Sequence, residues 1–199
     1  MSEAILTEPP VPIAAFEAFL DSLQDDSLWE LVAGRIVAMT NPTEVHAQIA
    51  SNIGAPLKLA IDLKGCHVYQ VCIGVQRSDL PGGANRARAD VVVRCGRIGT
   101  RNFITDPLVI VEVLSPSTMD VDRGEKLQFY KAQPTLRHIA LVYQDQVRVE
   151  HYRKTDLGWE LEALTHAGDV LYLEAVAFQI ALDRVYFGVE PTNVHRLAG

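Results

Sequence analysis

The sequence predicts an α/β protein with a mixed central β-sheet flanked by helices and an additional hairpin towards each end. Three observations point there. The runs 89–93 and 108–114 are rich in Val, Ile and Leu without polar alternation, as expected of central strands covered on both faces. Between about 43 and 63, Val45, Ile49, Ile53, Leu57, Ala60 and Ile61 recur at spacings of three and four, the period of a long amphipathic helix. The order helix, strands, long helix, strands, helix, strands runs through the chain without an internal repeat, a low-complexity tract or a linker.

Taken in order, the chain starts with an extended lead-in, residues 1–12, closed by Pro9-Pro10-Val11-Pro12. Ile13, Phe16, Phe19, Leu20 and Leu23 then mark a short amphipathic helix. Leu28–Val32 and Arg35–Thr40 flank the pair Ala33-Gly34 and read as a hairpin, with Glu30 inside its first strand. Asn41-Pro42-Thr43-Glu44 is a turn able to cap the long helix, in which Gly54 and Pro56 are bend points. Residues 67–75 alternate and read as one strand, followed by a turn-rich loop at 78–85. Ala89–Val93 and Leu108–Leu114 are the two central strands, joined by a basic loop. Asp122–Ala132 reads as a helix stopped by Pro134. A second hairpin pairs 136–143 with 147–153, further strands fall at 159–165 and 170–173, and 180–187 forms a short terminal strand or helix.

The 199 residues, 48% of them hydrophobic, suit one domain spanning 1–199 with a sizeable core. The first residues carry neither a basic region nor a long apolar run, and no later stretch approaches the roughly 18 apolar residues of a membrane span. The expected location is therefore the cytoplasm, with no membrane partner. Cys66, Cys72 and Cys95 are odd in number and lack C-x-x-C spacing, so they are expected as free core thiols. The net charge of −7 argues against non-specific nucleic-acid binding. Arg77, Arg86, Arg88, Arg94, Arg97 and Arg101 nevertheless form the most basic segment, either a local groove or solvated surface charge.

The chemistry centres on Glu112, a carboxylate among Val, Ile and Leu. Burying it requires a partner or a metal. If its strand neighbours the one headed by Asp90, the two acids meet on one side of the sheet, which is a divalent-metal site in outline. Each candidate has a structural competitor. Asp90 could bind loop amides, and Lys126 could pair with Asp122 at i, i+4 on an exposed helix. Glu30 could pair with Arg35 across the hairpin, and His46 could pack on a neighbour. Gln128 and Tyr130 read as helix packing, and Ser115, Ser117 and Thr118 as helix caps.

Glu30-Leu31-Val32-Ala33-Gly34 with Met39, His46 on the long helix, Arg88-x-Asp90-Val91-Val92-Val93, Glu112-Val113-Leu114-Ser115-Pro116-Ser117-Thr118 and Asp122-Arg123-Gly124-Glu125-Lys126-Leu127-x-x-Tyr130 resemble the Uma-two family. Its members are restriction-endonuclease-like proteins of the PD-(D/E)xK nuclease superfamily, common in bacteria. The resemblance runs from about Phe16 to Phe187. It implies a restriction-endonuclease-like fold and a Mg²⁺-dependent endonuclease acting on DNA, with Mn²⁺ as a substitute ion. Asp90 and Glu112 would bind the metal with the Val113 carbonyl as a further ligand, and Glu30 would be an additional acid. The superfamily's lysine falls two residues after the second acid, where this chain has Leu114; Lys126 on the following helix is the implied replacement. The alternative is a catalytically silent nuclease-fold module. A homodimer is compatible with double-strand cutting, with 170–187 as a candidate contact.

Overall fold

The computed structural model describes residues 9–61, 65–70, 73–77, 79, 84–115 and 119–191. Helix α1 (Ile13–Ser22) packs Phe16 against the hairpin of β1 (Trp29–Val32) and β2 (Arg35–Ala38), which turns at Ala33-Gly34. Helix α2 (Glu44–Ile61) follows, with Pro56 inside it and Ile49, Ile53, Leu57 and Ile61 buried. Next come β3 (Cys66–Gln70), β4 (Gly74–Arg77), β5 (Asn85–Arg88), β6 (Val91–Cys95), the short β7 (Phe103–Ile104) and β8 (Val109–Leu114).

The helical stretch after β8 has three parts: a turn of α3 (Met119–Val121), a π-turn (Asp122–Lys126) and α4 (Leu127–Lys131). Strands β9 (His138–Tyr143), β10 (Val149–Thr155), β11 (Gly158–Leu164), β12 (Val170–Leu173) and β13 (Phe178–Ala181) lead to α5 (Leu182–Val185).

Six strands form a mixed sheet in the order β11-β10-β9-β8-β6-β3, in which β8 and β9 are parallel and the other pairs antiparallel. A five-stranded sheet, β2-β1-β5-β4-β7, stands apart from it, and β12 pairs with β13. Alternation along β6 and β8 divides the core. Val91, Val93, Val109, Val111 and Val113 face α2 and the β12–β13 hairpin, whereas Val92, Ile110 and Leu114 face α4 and the five-stranded sheet. Glu112 shares the second face, beneath the π-turn.

Three expectations need correction. The alternating stretch 67–75 is two strands in two different sheets, since β3 pairs with β6 while β4 pairs with β5 and β7. Period-two alternation reports a half-buried strand but not its partner. Asn85, expected at the end of a loop, opens β5, whose pairing with β1 joins the N-terminal hairpin to a larger sheet. The cysteines are not all free thiols. Cys66 and Cys95 lie directly opposite each other on β3 and β6 and form a disulfide. Cys72 lies outside the described residues.

Candidate active site

Asp90 immediately precedes β6, and the β6–β8 register sets Val91 against Val111. This carries the Asp90 side chain to the backbone beside Glu112. The Val113 N–H donates to Asp90 Oδ2 at 2.6 Å, and His46 Nε2 lies 2.8 Å from Asp90 Oδ1. His46 occupies the first turn of α2, where its own N–H donates to the Thr43 hydroxyl at 3.2 Å. The competing reading of Asp90, a carboxylate holding backbone amides, is therefore part of its environment, but the amide belongs to the other acid's strand.

Glu30 reaches the same place from β1. Its Oε1 accepts the Arg88 N–H, which ties β1 to the end of β5, the strand of the same sheet that leads into Asp90. It does not pair with Arg35. That side chain leaves the hairpin and pairs with Glu125 on the π-turn.

Lys126 closes the group. Its Nζ lies 2.9 Å from Glu112 Oε1, 3.2 Å from Asp122 Oδ1 and 3.3 Å from Glu30 Oε1, and it donates to the Arg88 carbonyl at 3.2 Å. The expected i, i+4 pair with Asp122 exists, but on a buried helix face rather than an exposed one, since Lys126 is only 4% exposed. Tyr130, one turn further on, donates its hydroxyl to Glu112 Oε1 at 2.6 Å. Helix packing was an incomplete account of Tyr130. A signal was present in the sequence: a tyrosine four residues after the candidate lysine shares its helix face and needs a buried hydrogen-bond partner.

The electrostatics follow from crowding. Burial pushes the Glu112 carboxyl well above its usual range, against the pull of Lys126, while Asp122, Asp90 and Glu30 add to the upward push. Burial also works against the Lys126 ammonium, but Glu112, Tyr130, Glu30 and Asp122 outweigh it and hold its pKa well above the ordinary lysine value. The two directions are compatible because one ammonium serves three acids: the cation is secured, while the buried Glu112, crowded by the other acids, holds its proton more tightly than an ordinary carboxyl. Burial, followed by Glu112, raises the Tyr130 phenol, which keeps it a proton donor at neutral pH.

An ion of the kind implied by the acids can be tested against this chemistry. Four carboxylates, Glu30, Asp90, Glu112 and Asp122, are gathered around one ammonium and one imidazole. The Tyr130 hydroxyl and the Lys126 ammonium both engage Oε1 of Glu112. No group of three or more His, Cys, Asp and Glu side chains among the described residues is arranged around a single metal position. Mg²⁺ is commonly held by only one or two carboxylates, with waters and substrate oxygens completing its shell, so an acid-rich, under-neutralised pair such as Asp90 and Glu112 fits its preferences.

The remaining candidates are placed differently. Val113 engages Asp90 through its amide. Ser115 offers its carbonyl to the Met119 N–H, and Ser117 and Thr118 lie outside the described residues. Within the basic segment, Arg77 pairs with Asp79, Arg94 pairs with Asp106, and Arg86 is buried against Glu17 and Gln76. Sequence reasoning gave Tyr130 a packing role and missed its bond to Glu112.

A mixed sheet flanked by helices, with acids on adjacent central strands and a lysine folded over them, places the protein in the nuclease-like α/β class. The fold matches the crystal structure of a "putative nuclease belonging to DUF820" from Anabaena variabilis with a TM-score of 0.72 at 15% identity, covering 88% of this chain and 97% of that one. The chain belongs to the Uma2 (Uma-two) family, described as "Putative restriction endonuclease", whose model matches residues 16–183. It is 31% identical over 162 residues to the uncharacterized Synechocystis protein slr1290, covering 80% of this chain and 84% of the relative. It is 29% identical over 140 residues to a second uncharacterized Synechocystis protein, sll1609, covering 68% and 77% respectively. No described helix is long and apolar enough to cross a membrane.

Proposed function

We propose that the protein is a Mg²⁺-dependent endonuclease hydrolysing DNA phosphodiester bonds at the cluster of Glu30, Asp90, Glu112 and Lys126. The convergence of three carboxylates on the Lys126 ammonium, with Asp90 tied to the Val113 amide beside them, carries this reading. Asp90 and Glu112, with the Val113 carbonyl, would hold Mg²⁺ or Mn²⁺. When bound, the ion would acidify a water and offset charge developing on the phosphodiester.

The chain's own groups supply the rest. Lys126 remains an ammonium, so it acts as a charge rather than a base, orienting the attacking water or stabilising the phosphorane-like transition state. Glu30 and the Arg88 carbonyl fix where that ammonium sits. Tyr130 fixes one oxygen of Glu112, and His46 fixes one oxygen of Asp90.

Supercoiled and linear DNA incubated with the protein and Mg²⁺ or Mn²⁺ should be cut. Asp90→Ala and Glu112→Ala should abolish cutting, and Lys126→Met should slow it by roughly 10²–10³. Cleavage that persists in the Asp90 or Glu112 variants rejects the assignment. The catalytically silent binding module is favoured by one observation, the sequestration of Lys126 among three acids with Leu114, fully buried, at the superfamily's lysine position. Titration calorimetry separates the two: absence of millimolar Mg²⁺ or Mn²⁺ binding selects the silent module.

A further inference from the structure

We infer that Arg123 and Arg148, anchored on the buried Glu150, form a phosphate-binding pair that seats a DNA backbone phosphate next to the one positioned for cleavage. This deepens the nuclease reading and rests on it for the identity of the ligand.

The anchor is built rather than incidental. Glu150 is 1% exposed on β10, next to the edge strand of the six-stranded sheet, and its carboxylate accepts from Arg123 Nη2 at 3.1 Å, Arg148 Nη2 at 3.0 Å, the Tyr143 hydroxyl at 2.9 Å and the Tyr152 hydroxyl at 3.3 Å. Burial disfavours that carboxylate, but Tyr143, Arg148 and Arg123 outweigh the cost and keep it ionised. One buried negative charge therefore carries two guanidinium groups, leaving a local surplus of one positive charge.

The guanidinium groups are only partly used. Their side chains are 47% and 35% exposed, and both lie over the Tyr143 ring, Arg123 at 6.0 Å and Arg148 at 5.3 Å from its centroid. Each guanidinium commits Nη2 to Glu150, Arg148 Nε is buried, and among the described residues Nη1 of either arginine makes no hydrogen bond, so each keeps a forked donor group in reserve. Held planes with spare forked donors suit a phosphate.

Register places the pair beside the acids. Glu112, Leu141 and Glu150 occupy one row across β8, β9 and β10, so Glu112 and Glu150 point to the same face two strands apart, roughly 10 Å. The π-turn spans that row. Lys126 reaches down to Glu112 while Arg123, three residues earlier, reaches Glu150. That separation is short enough for neighbouring phosphates of one strand to meet the acids and the pair together. In an acidic protein, this pair supplies the attraction that the crowded carboxylates cannot.

Fluorescence anisotropy with a labelled duplex, in a Glu112→Gln background to silence cleavage, tests the pair. Arg123→Gln and Arg148→Gln should each weaken binding about tenfold at low salt and reduce the slope of log affinity against log salt by about one. Arg123→Lys should keep the slope and lose part of the affinity. The triple variant Arg123→Gln/Arg148→Gln/Glu150→Gln, which removes the buried anion together with its two cations and has its fold checked by thermal denaturation, should lose both contributions without leaving a buried charge unpaired. Unaltered affinity and slope in the folded triple variant overturn the inference, as does a Glu112→Gln protein that binds no duplex. If the duplex binds through the arginines but the unmodified enzyme cuts with neither Mg²⁺ nor Mn²⁺, the phosphate site stands and the nuclease reading falls. Cleavage by the triple variant with unchanged KM has the opposite meaning.

Discussion

At the scale of the residue, the site is one buried carboxylate and the groups that make its burial tolerable. Glu112 was legible in the sequence because an acid among Val, Ile and Leu demands an explanation, and Asp90 was legible because it heads the neighbouring apolar run. Lys126 was harder to read. The i, i+4 spacing from Asp122 fits a surface pair as well as a site, and only the packed structure shows both side chains turned inward. Tyr130 was not recognised, since Leu127, Phe129 and Tyr130 together look like an apolar helix face. Its hydroxyl nevertheless shares Glu112 Oε1 with the ammonium, so Tyr130→Phe should remove a hydrogen bond to a charged group at almost constant volume. A loss of about 1–3 kcal/mol in denaturant-unfolding stability is expected. Because an outer partner of a candidate ligand is lost, a 10–100-fold drop in cleavage or ion affinity should accompany it. A Phe variant that cleaves at the parental rate would return Tyr130 to a packing role.

At the scale of the element, the β1–β2 hairpin shows how local geometry serves a remote site. Val11 donates its N–H to the Gly34 carbonyl, the Gly34 N–H donates to Ala84, and Ala33 donates to the Asn85 side chain. The turn is thereby stitched to the lead-in and to the start of β5, and Glu30 is delivered to Lys126. Gly34 has φ +73, and an added Cβ would lie 2.3 Å from Pro10 Cβ and 2.8 Å from its Cα. Gly34→Ala should therefore combine left-handed backbone strain of about 1 kcal/mol with a clash against a rigid ring. Gly65 is the control: its φ is +69, with nothing within 4 Å of an added Cβ. Gly65→Ala should cost the strain alone, so Gly34→Ala should unfold at lower denaturant and also cut more slowly. Equal stability losses in the two variants would show that Pro10 yields. The hairpin and its turn were readable from the two-residue Ala-Gly connection. The assignment of β3 and β4 to different sheets was not, because alternation marks a face and carries no information about which strand lies alongside.

At the scale of the whole molecule, the order and type of the long elements were legible because apolar period and turn residues are local signals, whereas the division into two sheets and the cross-strand pairings depend on distant partners. The Cys66–Cys95 disulfide belongs to the second kind. A separation of 29 residues and an odd cysteine count gave no hint of it, and only the β3–β6 register brings the two side chains face to face. The bond closes a loop containing β4, β5 and Asp90, so its main thermodynamic effect falls on the unfolded chain. A closure of that length removes chain entropy equivalent to roughly 3–4 kcal/mol in the loop-entropy treatment. Calorimetry with and without a reducing agent should therefore show Tm lower by roughly 5–10 °C on reduction, and Cys66→Ser/Cys95→Ser should match the reduced protein in either buffer. Cleavage well below Tm should survive, because Asp90 is held directly by the Val113 amide and His46, five residues from the bond. A Tm indifferent to reduction, with three thiols titrated rather than the one left by a Cys66–Cys95 bond, would show that Cys66 and Cys95 face each other unbonded and that the sheet edge is held by packing and strand pairing alone.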